Sequence, residues 1–285
     1  MQTSSGFNKL ILLSLALLIV GFFWLGTQFA GQSSSQQFGS SAAGLTPFNL
    51  AEPHNQLEDV SQVQPISEKK LKFFANLAPL VAYENARLTW RAQQLMAAQK
   101  LVNQQQEELL TSREIKQLEE IAEAYGASWP LTNQELNQLL VKVQPVPADL
   151  VLVQAANESA WGSSRFAKQA NNLFGQWCFT KGCGLVPSAR DANKSHEVRK
   201  FAHPLASVQS YMHNLNTHRA YEDLRQRRQQ LIAAKQEVTG ANLAPSLLKY
   251  SERGQAYVDE LLAMLKQNQT LIQQAVESVE LQPLN

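Results

Sequence analysis

The chain is short of cysteine, glycine, proline and charge. Two cysteines in 285 residues exclude a disulfide-dense mini-protein and a four-cysteine zinc site. Thirteen glycines and eleven prolines are too few for a fibrous or wholly disordered chain. Charged residues make up 17%, below the usual quarter, and glutamine supplies much of the missing polarity. Neither sign dominates: 25 Lys+Arg stand against 24 Asp+Glu, net +1. A nucleic-acid binder normally carries a basic face, so no nucleic-acid partner is expected. G-x-S-x-G, Walker and dinucleotide fingerprints are missing, as is H-E-x-x-H. The pairs His213/His218 and His196/His203 lack an obvious third ligand, so neither a metal nor a cofactor is expected. S-x-x-K occurs at Ser67 and Ser246, but without the S-D-N and K-T-G that acyl transfer needs.

What is present begins with one long apolar run. After a tail of residues 1–9, residues 10–30 open as LILLSLALLIVGFFWL behind a lone Lys9. About 21 residues of helix span roughly 31 Å, which matches a hydrocarbon core of about 30 Å. The run is longer than the usual signal-peptide core and no A-x-A site closely follows it. It is therefore assigned as a transmembrane signal anchor, with a cleaved signal peptide as the alternative. Either way the body is exported, expected at the periplasmic face of a bacterial inner membrane or released from it. GQSSSQQFGSSAAG then opens a flexible linker, assigned to residues 31–66.

Residues 67–144 form a helical region with no assigned role. Glu68 to Leu80 is a short amphipathic segment closed by Pro79, and Tyr83 to Leu110 is a second helix. Leu88, Leu95, Val102 and Leu109 recur every seven residues, but Gln105 and Ser112 weaken a coiled-coil seam, so packing on the protein's own body is expected. Thr111-Ser-Arg-Glu114 and Thr132-Asn-Gln-Glu135 have capping-box spacing and each opens a helix. Pro145 and Pro147 then break the chain. Residues 145–268 carry 15 bases and 10 acids, +5, against 10 and 14, −4, elsewhere; an anionic polymer is a permissible substrate. Only the stretch near 176–206 reads as β, so the fold class is mainly α with a small β element.

Val151 to Gly162 reads VLVQAANESAWG. Leu150, Gln154 and Glu158 lie at i, i+4, i+8 on one helix face. Glu158 falls in the last turn, with Gly162 as the expected C′ residue. The negative end of the helix dipole, an apolar helix and a dry wall from Trp161 would all raise its pKa. A carboxyl held protonated near neutral pH is what a general acid in glycoside cleavage needs. The same spacing also suits a surface glutamate at a frayed helix end.

Glu158-Ser-Ala-Trp161-Gly162, then Asn171-Asn-Leu-Phe-Gly175, then Tyr250-Ser-Glu-Arg-Gly-Gln-Ala-Tyr257 follow one another over about 110 residues. These three motifs resemble the bacterial glucosaminidases of glycoside hydrolase family 73. Phe174-Gly-Gln-Trp-Cys178, Ser207-Val-Gln-Ser-Tyr211 and Asn214-Leu-Asn-Thr-His218 resemble one subgroup of it. The resemblance implies a lysozyme-like α+β catalytic domain, assigned to residues 145–268 and followed by a tail, 269–285. It implies cleavage of β-1,4 bonds after N-acetylglucosamine in peptidoglycan glycan strands. Glu158 falls on the family's general acid and Tyr250 on its aromatic residue near the substrate acetamido group. Glu197, in the expected hairpin, is the candidate second acid. If Glu197 is a general base the product inverts; if the substrate acetamido attacks its own anomeric carbon, no second enzyme acid is the nucleophile. Trp161, Phe174, Trp177, Tyr211 and Tyr221 are expected as sugar-stacking walls or, taken singly, as core. Asn172, Gln176 and Tyr257 are expected substrate contacts. Cys178 and Cys183 enclose four residues, a spacing that in an exported chain suits a disulfide loop and in a reducing compartment two buried thiols.

Overall fold

The computed structural model describes residues 43–188, 190 and 195–284. The tail 1–9, the anchor assigned to 10–30 and the first part of the linker lie outside them. Among the described residues no helix is long and apolar enough to cross a membrane.

The longest element, α1 (Ile66–Gln104), runs through Pro79. Proline removes one helical N–H and normally breaks or kinks the ladder. Here Phe73, Phe74, Leu77, Leu80, Val81 and Leu88 are all buried on both sides of it. Burial of one continuous apolar face outweighs the lost hydrogen bond, so the two expected segments are one helix. α2 (Ser112–Ala124) and α3 (Asn133–Lys142) begin at the expected capping boxes, Thr111–Glu114 and Thr132–Glu135.

α4 (Ala148–Glu158) is the centre of the body. Every residue from Leu150 to Ala156 is buried, which an apolar helix requires on all sides. α5 (Arg165–Ala170) follows, then a three-stranded antiparallel sheet of β1 (Trp177–Cys178), β2 (Gly184–Leu185) and β3 (Glu197–Arg199) in the order β1-β3-β2. Trp177 pairs with Val198, and Cys178 with Glu197. A Cβ on Gly184 would stand 1.9 Å from the Val198 carbonyl oxygen, so only glycine fits at that crossing. The chain continues through α6 (Pro204–Thr217), α7 (Glu222–Ala233), α8 (Gly240–Leu243) and α9 (Gln255–Glu277).

Three expected boundaries are not structural ones. α1 packs on α3, α4, α6 and α9, so the helical region 67–144 is part of the same body as residues 145–268. The expected tail, 269–285, starts inside α9, where Ile272 and Ala275 are buried. The linker 31–66 stops short as well, because residues 43–65 strap the surface. Ala43, Leu45 and Val60 are buried. Trp90 Nε1 donates to the Thr46 carbonyl (2.8 Å), and Asn55 Oδ1 accepts from Leu205 N at the start of α6 (3.0 Å). Lys168 reaches Asp59 at 2.8 Å. Ala51 N donates to Gln282 O (2.9 Å) and Leu284 N to Asn49 O (3.3 Å), tying the strap to the chain after α9. Composition marked low organisation there, but the few apolar residues each find a groove.

Candidate active site

Glu158 is the last residue of α4 and lines a cleft of about 930 Å³. Immediately after it Ala160 (φ 49°) and Trp161 (φ 58°) take left-handed conformations. Two adjacent non-glycine residues in that region cost on the order of 1–2 kcal/mol each. Ala160, not Gly162, thus makes the first left-handed step out of the helix. The turn is held by Ser159 Oγ, which accepts from Gly162 N (2.8 Å), and by Trp161. That ring packs edge-on against Phe73 (5.3–5.7 Å to Phe74 and Phe73) with Lys70 Nζ 5.0 Å from its centre. Trp161 therefore anchors the turn to α1 and does not line the cleft, contrary to the expected dry wall.

Burial is the main reason the Glu158 carboxyl is pushed above the ordinary glutamate range, and Glu260 adds to it. The Tyr257 hydrogen bond and Arg253 oppose the shift. Tyr257 is buried beneath the acid and donates to Glu158 Oε1 at 2.8 Å. It is not among the cleft-lining residues, so it holds the acid where a substrate contact was expected. Gly175, at φ 65°, lies on the other, cleft-lining side. A Cβ there would stand 3.7 Å from Glu158 Oε2, an ordinary contact distance, so it is the left-handed backbone that favours glycine at this position.

The floor is a set of tyrosines and one phenylalanine. Phe174 stacks on Tyr211 (3.9 Å, 8°) and Tyr250 on Tyr257 (5.4 Å, 7°). Tyr221 lies 6.1 Å from Tyr250. The Tyr250 hydroxyl donates to the Phe174 carbonyl (3.1 Å), and burial pushes it far up from its ordinary range. Phe174, Tyr211, Tyr221 and Tyr250 all reach the cleft surface. Gln176 does too, tied to Ser210 Oγ at 2.9 Å.

Asn172, an expected substrate contact, does not line the cleft. It is buried, with Nδ2 donating to Gln176 O (2.9 Å) and Arg199 O (2.8 Å) and Oδ1 accepting from Gln176 N (3.0 Å). It fastens the Asn-Asn-Leu-Phe-Gly loop to β3.

Glu197 departs furthest from expectation. Successive residues of a strand face opposite sides. His196 and Val198 line the cleft and Glu197 does not. Its carboxylate accepts from Gly182 N (3.0 Å) and Gly184 N (2.8 Å). Those bonds hold it below the ordinary glutamate range, the opposite of a poised acid. Cys178 and Cys183 are joined, with Cα atoms 6.2 Å apart. Among the described residues these two and Glu197 form the one cluster of metal-type side chains, but its sulfurs are bonded together and its carboxylate is occupied. The trio is a brace for the hairpin loop. On the cleft side of that hairpin stands Trp177, 54% exposed and stacked on His196 (4.0 Å, 19°).

The cleft thus gathers Glu158, Phe174, Gln176, Trp177, Tyr211, Tyr221 and Tyr250, and leaves out Trp161, Asn172, Glu197 and Tyr257. It also holds residues not anticipated: Phe166, Gly175, Arg190, His196, Asn214, His218 and Arg253. Asn214 and His218 follow Tyr211 at i+3 and i+7, a helix-face signal that was available. Arg253, paired with Glu260 at 2.7 Å, sits inside the Tyr250–Tyr257 motif.

A family model described as "Glucosaminidase: Mannosyl-glycoprotein endo-beta-N-acetylglucosaminidase" matches residues 134–270, from α3 to most of α9. Protein bax of Escherichia coli (strain K12) is 32% identical over 220 residues, 76% of this chain and 76% of that protein. No solved structure matches. The matched stretch holds the Glu158, Asn171 and Tyr250 motifs and every cleft residue named above, and the chain belongs to the bacterial Bax/glucosaminidase family.

Proposed function

We propose that the protein is a peptidoglycan hydrolase, an endo-β-N-acetylglucosaminidase that cuts β-1,4 bonds after N-acetylglucosamine with Glu158 as general acid. One observation carries the reading. A half-buried carboxyl, pushed above the ordinary glutamate range by burial, stands at an aromatic cleft with Oε1 tied by Tyr257 and Oε2 beside Gly175. An elongated sugar polymer suits such a cleft, with aromatic faces for rings and polar edges for hydroxyls.

The turned-away Glu197 supports substrate assistance over inversion. Among the described residues the other carboxylate lining the cleft is Glu252, which is exposed. In the assisted route Glu158 gives its proton to the glycosidic oxygen as the C–O bond breaks. The substrate acetamido oxygen bonds to the anomeric carbon, with Tyr250 orienting that group. Water then attacks the anomeric carbon and returns a proton to Glu158, which acts as base in the second half.

The lone acid also suits a lytic transglycosylase, which closes an anhydro ring without water. Mass spectrometry of fragments released from purified peptidoglycan by the full-length protein decides. Reducing N-acetylglucosamine ends support the hydrolase, anhydromuramic ends the transglycosylase, and no fragments a wall-binding scaffold.

Residues 10–30 anchor the body at the periplasmic side of the inner membrane as a single pass. The apolar run and the Cys178–Cys183 disulfide, at home in an oxidising compartment, support this. Recovery in carbonate-washed membranes with the amino terminus intact is the expected result. A soluble form lacking residues 1–30 would indicate a cleaved signal peptide.

A further inference from the structure

Beneath the cleft, four side chains pass hydrogen bonds in one direction. The Tyr211 hydroxyl donates to Gln154 Oε1. Gln154 Nε2 donates to the Tyr257 hydroxyl at 2.9 Å, and that hydroxyl donates to Glu158 Oε1 at 2.8 Å. Gln154 is 0% exposed and Tyr211 and Tyr257 are buried, so each partner is indispensable to the next.

The direction follows from what each group can do. A carboxamide oxygen only accepts, so the shared proton of the first link belongs to Tyr211. A carboxamide nitrogen only donates, so Tyr257 receives that bond on a lone pair and keeps its one proton for Glu158. Turning the amide over would set its NH2 against the Tyr211 hydroxyl and take away the acceptor that hydroxyl now has in Gln154 Oε1. With Tyr257 committed as donor, Oε1 is an acceptor whether Glu158 is charged or neutral. The acidic proton is left to Oε2, the oxygen beside Gly175 on the cleft side.

We propose that Tyr211, Gln154 and Tyr257 are positioning residues, a one-way chain that reserves Oε2 of Glu158 for the proton exchanged with substrate. The inference rests on the glycosidase reading and names how its acid is aimed. As the proton leaves Oε2 for the glycosidic oxygen, Glu158 gains a full charge. The Tyr257 bond to Oε1 then becomes charge-assisted and stronger. The chain thus favours the transition state over the ground state. Other groups face the same carboxyl: Glu260 from α9, Arg253 from the turn before it, Asn157 from α4 itself, and Tyr221 and Tyr250 from the floor. Burial pushes the hydroxyls of Tyr211 and Tyr257 above their ordinary range, so the chain relays orientation without carrying charge.

The test is the pH dependence of kcat and kcat/KM on purified peptidoglycan for the full-length protein, Tyr257→Phe, Tyr211→Phe and the double variant. Removing the Tyr257 donor makes the carboxylate less favourable. The alkaline fall-off, where Glu158 loses its proton, should move to higher pH. A roughly 10–100-fold loss in kcat with KM changed less than twofold should accompany it. Tyr211→Phe keeps the ring stack and should move the limb the same way by less. The double variant should match Tyr257→Phe alone, because a broken chain is not broken twice. An unmoved limb in Tyr257→Phe, or losses that multiply in the double variant, overturns the proposal. Should Tyr257→Phe not fold, the limb of Tyr211→Phe decides. If the parental protein releases neither reducing nor anhydro ends, the glycosidase reading fails and the inference with it. An active parent with unshifted variants sinks the inference alone.

Discussion

Trp161 and Trp177 stand near the two ends of the same motif region and do opposite things. Trp161 belongs to the helical side, wedged against Phe73 and Phe74 of α1. Trp177 belongs to the hairpin side, more than half exposed on a strand two residues long. The helical side places its groups through a continuous core and buried side-chain hydrogen bonds. The hairpin side has little core and is held by a disulfide and by one carboxylate gripping two backbone N–H groups. The helical side is built to hold an acid between packed and hydrogen-bonded neighbours, and the hairpin side to present surface. Stability and chemistry are thus bound together on one side and separable on the other.

That contrast can be broken by four measurements. The largest effect is expected from Glu158→Gln, which should lower fragment release from peptidoglycan by ~10³-fold and leave the fold intact. It should also raise Tm at neutral pH. The folded-state pKa of Glu158 lies above its ordinary value of 4.5, so the native state binds the proton more tightly than the unfolded chain. Parental stability then falls as pH rises through the interval between the two values. The neutral amide escapes that loss, and the gap in Tm should close below about pH 4.5. Next comes Trp161→Ala. Removing a ring packed between α1 and the strained turn should cost about 3 kcal/mol in denaturant unfolding, with activity falling alongside. Trp177→Ala should do the reverse, leaving Tm within a degree or two while KM rises about tenfold, the worth of ~1.4 kcal/mol of stacking. If Trp177→Ala melts early, the hairpin is part of the core and the contrast fails.

The smallest effect should come from Glu197→Gln. A second catalytic acid would lose two or more orders of magnitude in rate on this change, whereas a brace should lose less than about threefold. Its folded pKa is depressed, so its stabilisation is fully present above about pH 4.5 and is lost as pH falls through the folded value. Glu197→Gln should therefore lower Tm by a few degrees at pH 7, and the difference should shrink on acidification.

Much of the helical side was legible in the chain itself. The capping boxes at Thr111 and Thr132, the apolar α4, and Gln154 on the same face as Glu158 all follow from spacing. Two kinds of feature were not. Pro79 reads as a stop because local propensity is all a sequence window offers, and burial on both flanks overrides it. The directions of Trp161, Asn172, Glu197 and Tyr257 were hidden for a different reason. A motif says that a residue matters near a site, but not whether it faces the substrate or the residue that does. Trp161 and Tyr257 proved to hold the acid and its turn, Asn172 and Glu197 the loops. Only for Glu197 did strand alternation with His196 and Val198 offer a warning.

The pairing of Asn49 and Ala51 with Gln282 and Leu284 brings the two ends of the body side by side. Neighbouring ends are the condition under which circular permutation is tolerated. A permutant with these ends spliced through a short glycine–serine bridge, and reopened at the exposed Lys235–Gln236 turn after α7, should keep every helix and strand and give up only the cap bond from Gln236 N to Leu231 O. The order in which the ribosome visits the helices is therefore incidental to the architecture: topologically the body is a ring, and the strap marks where it happens to be cut.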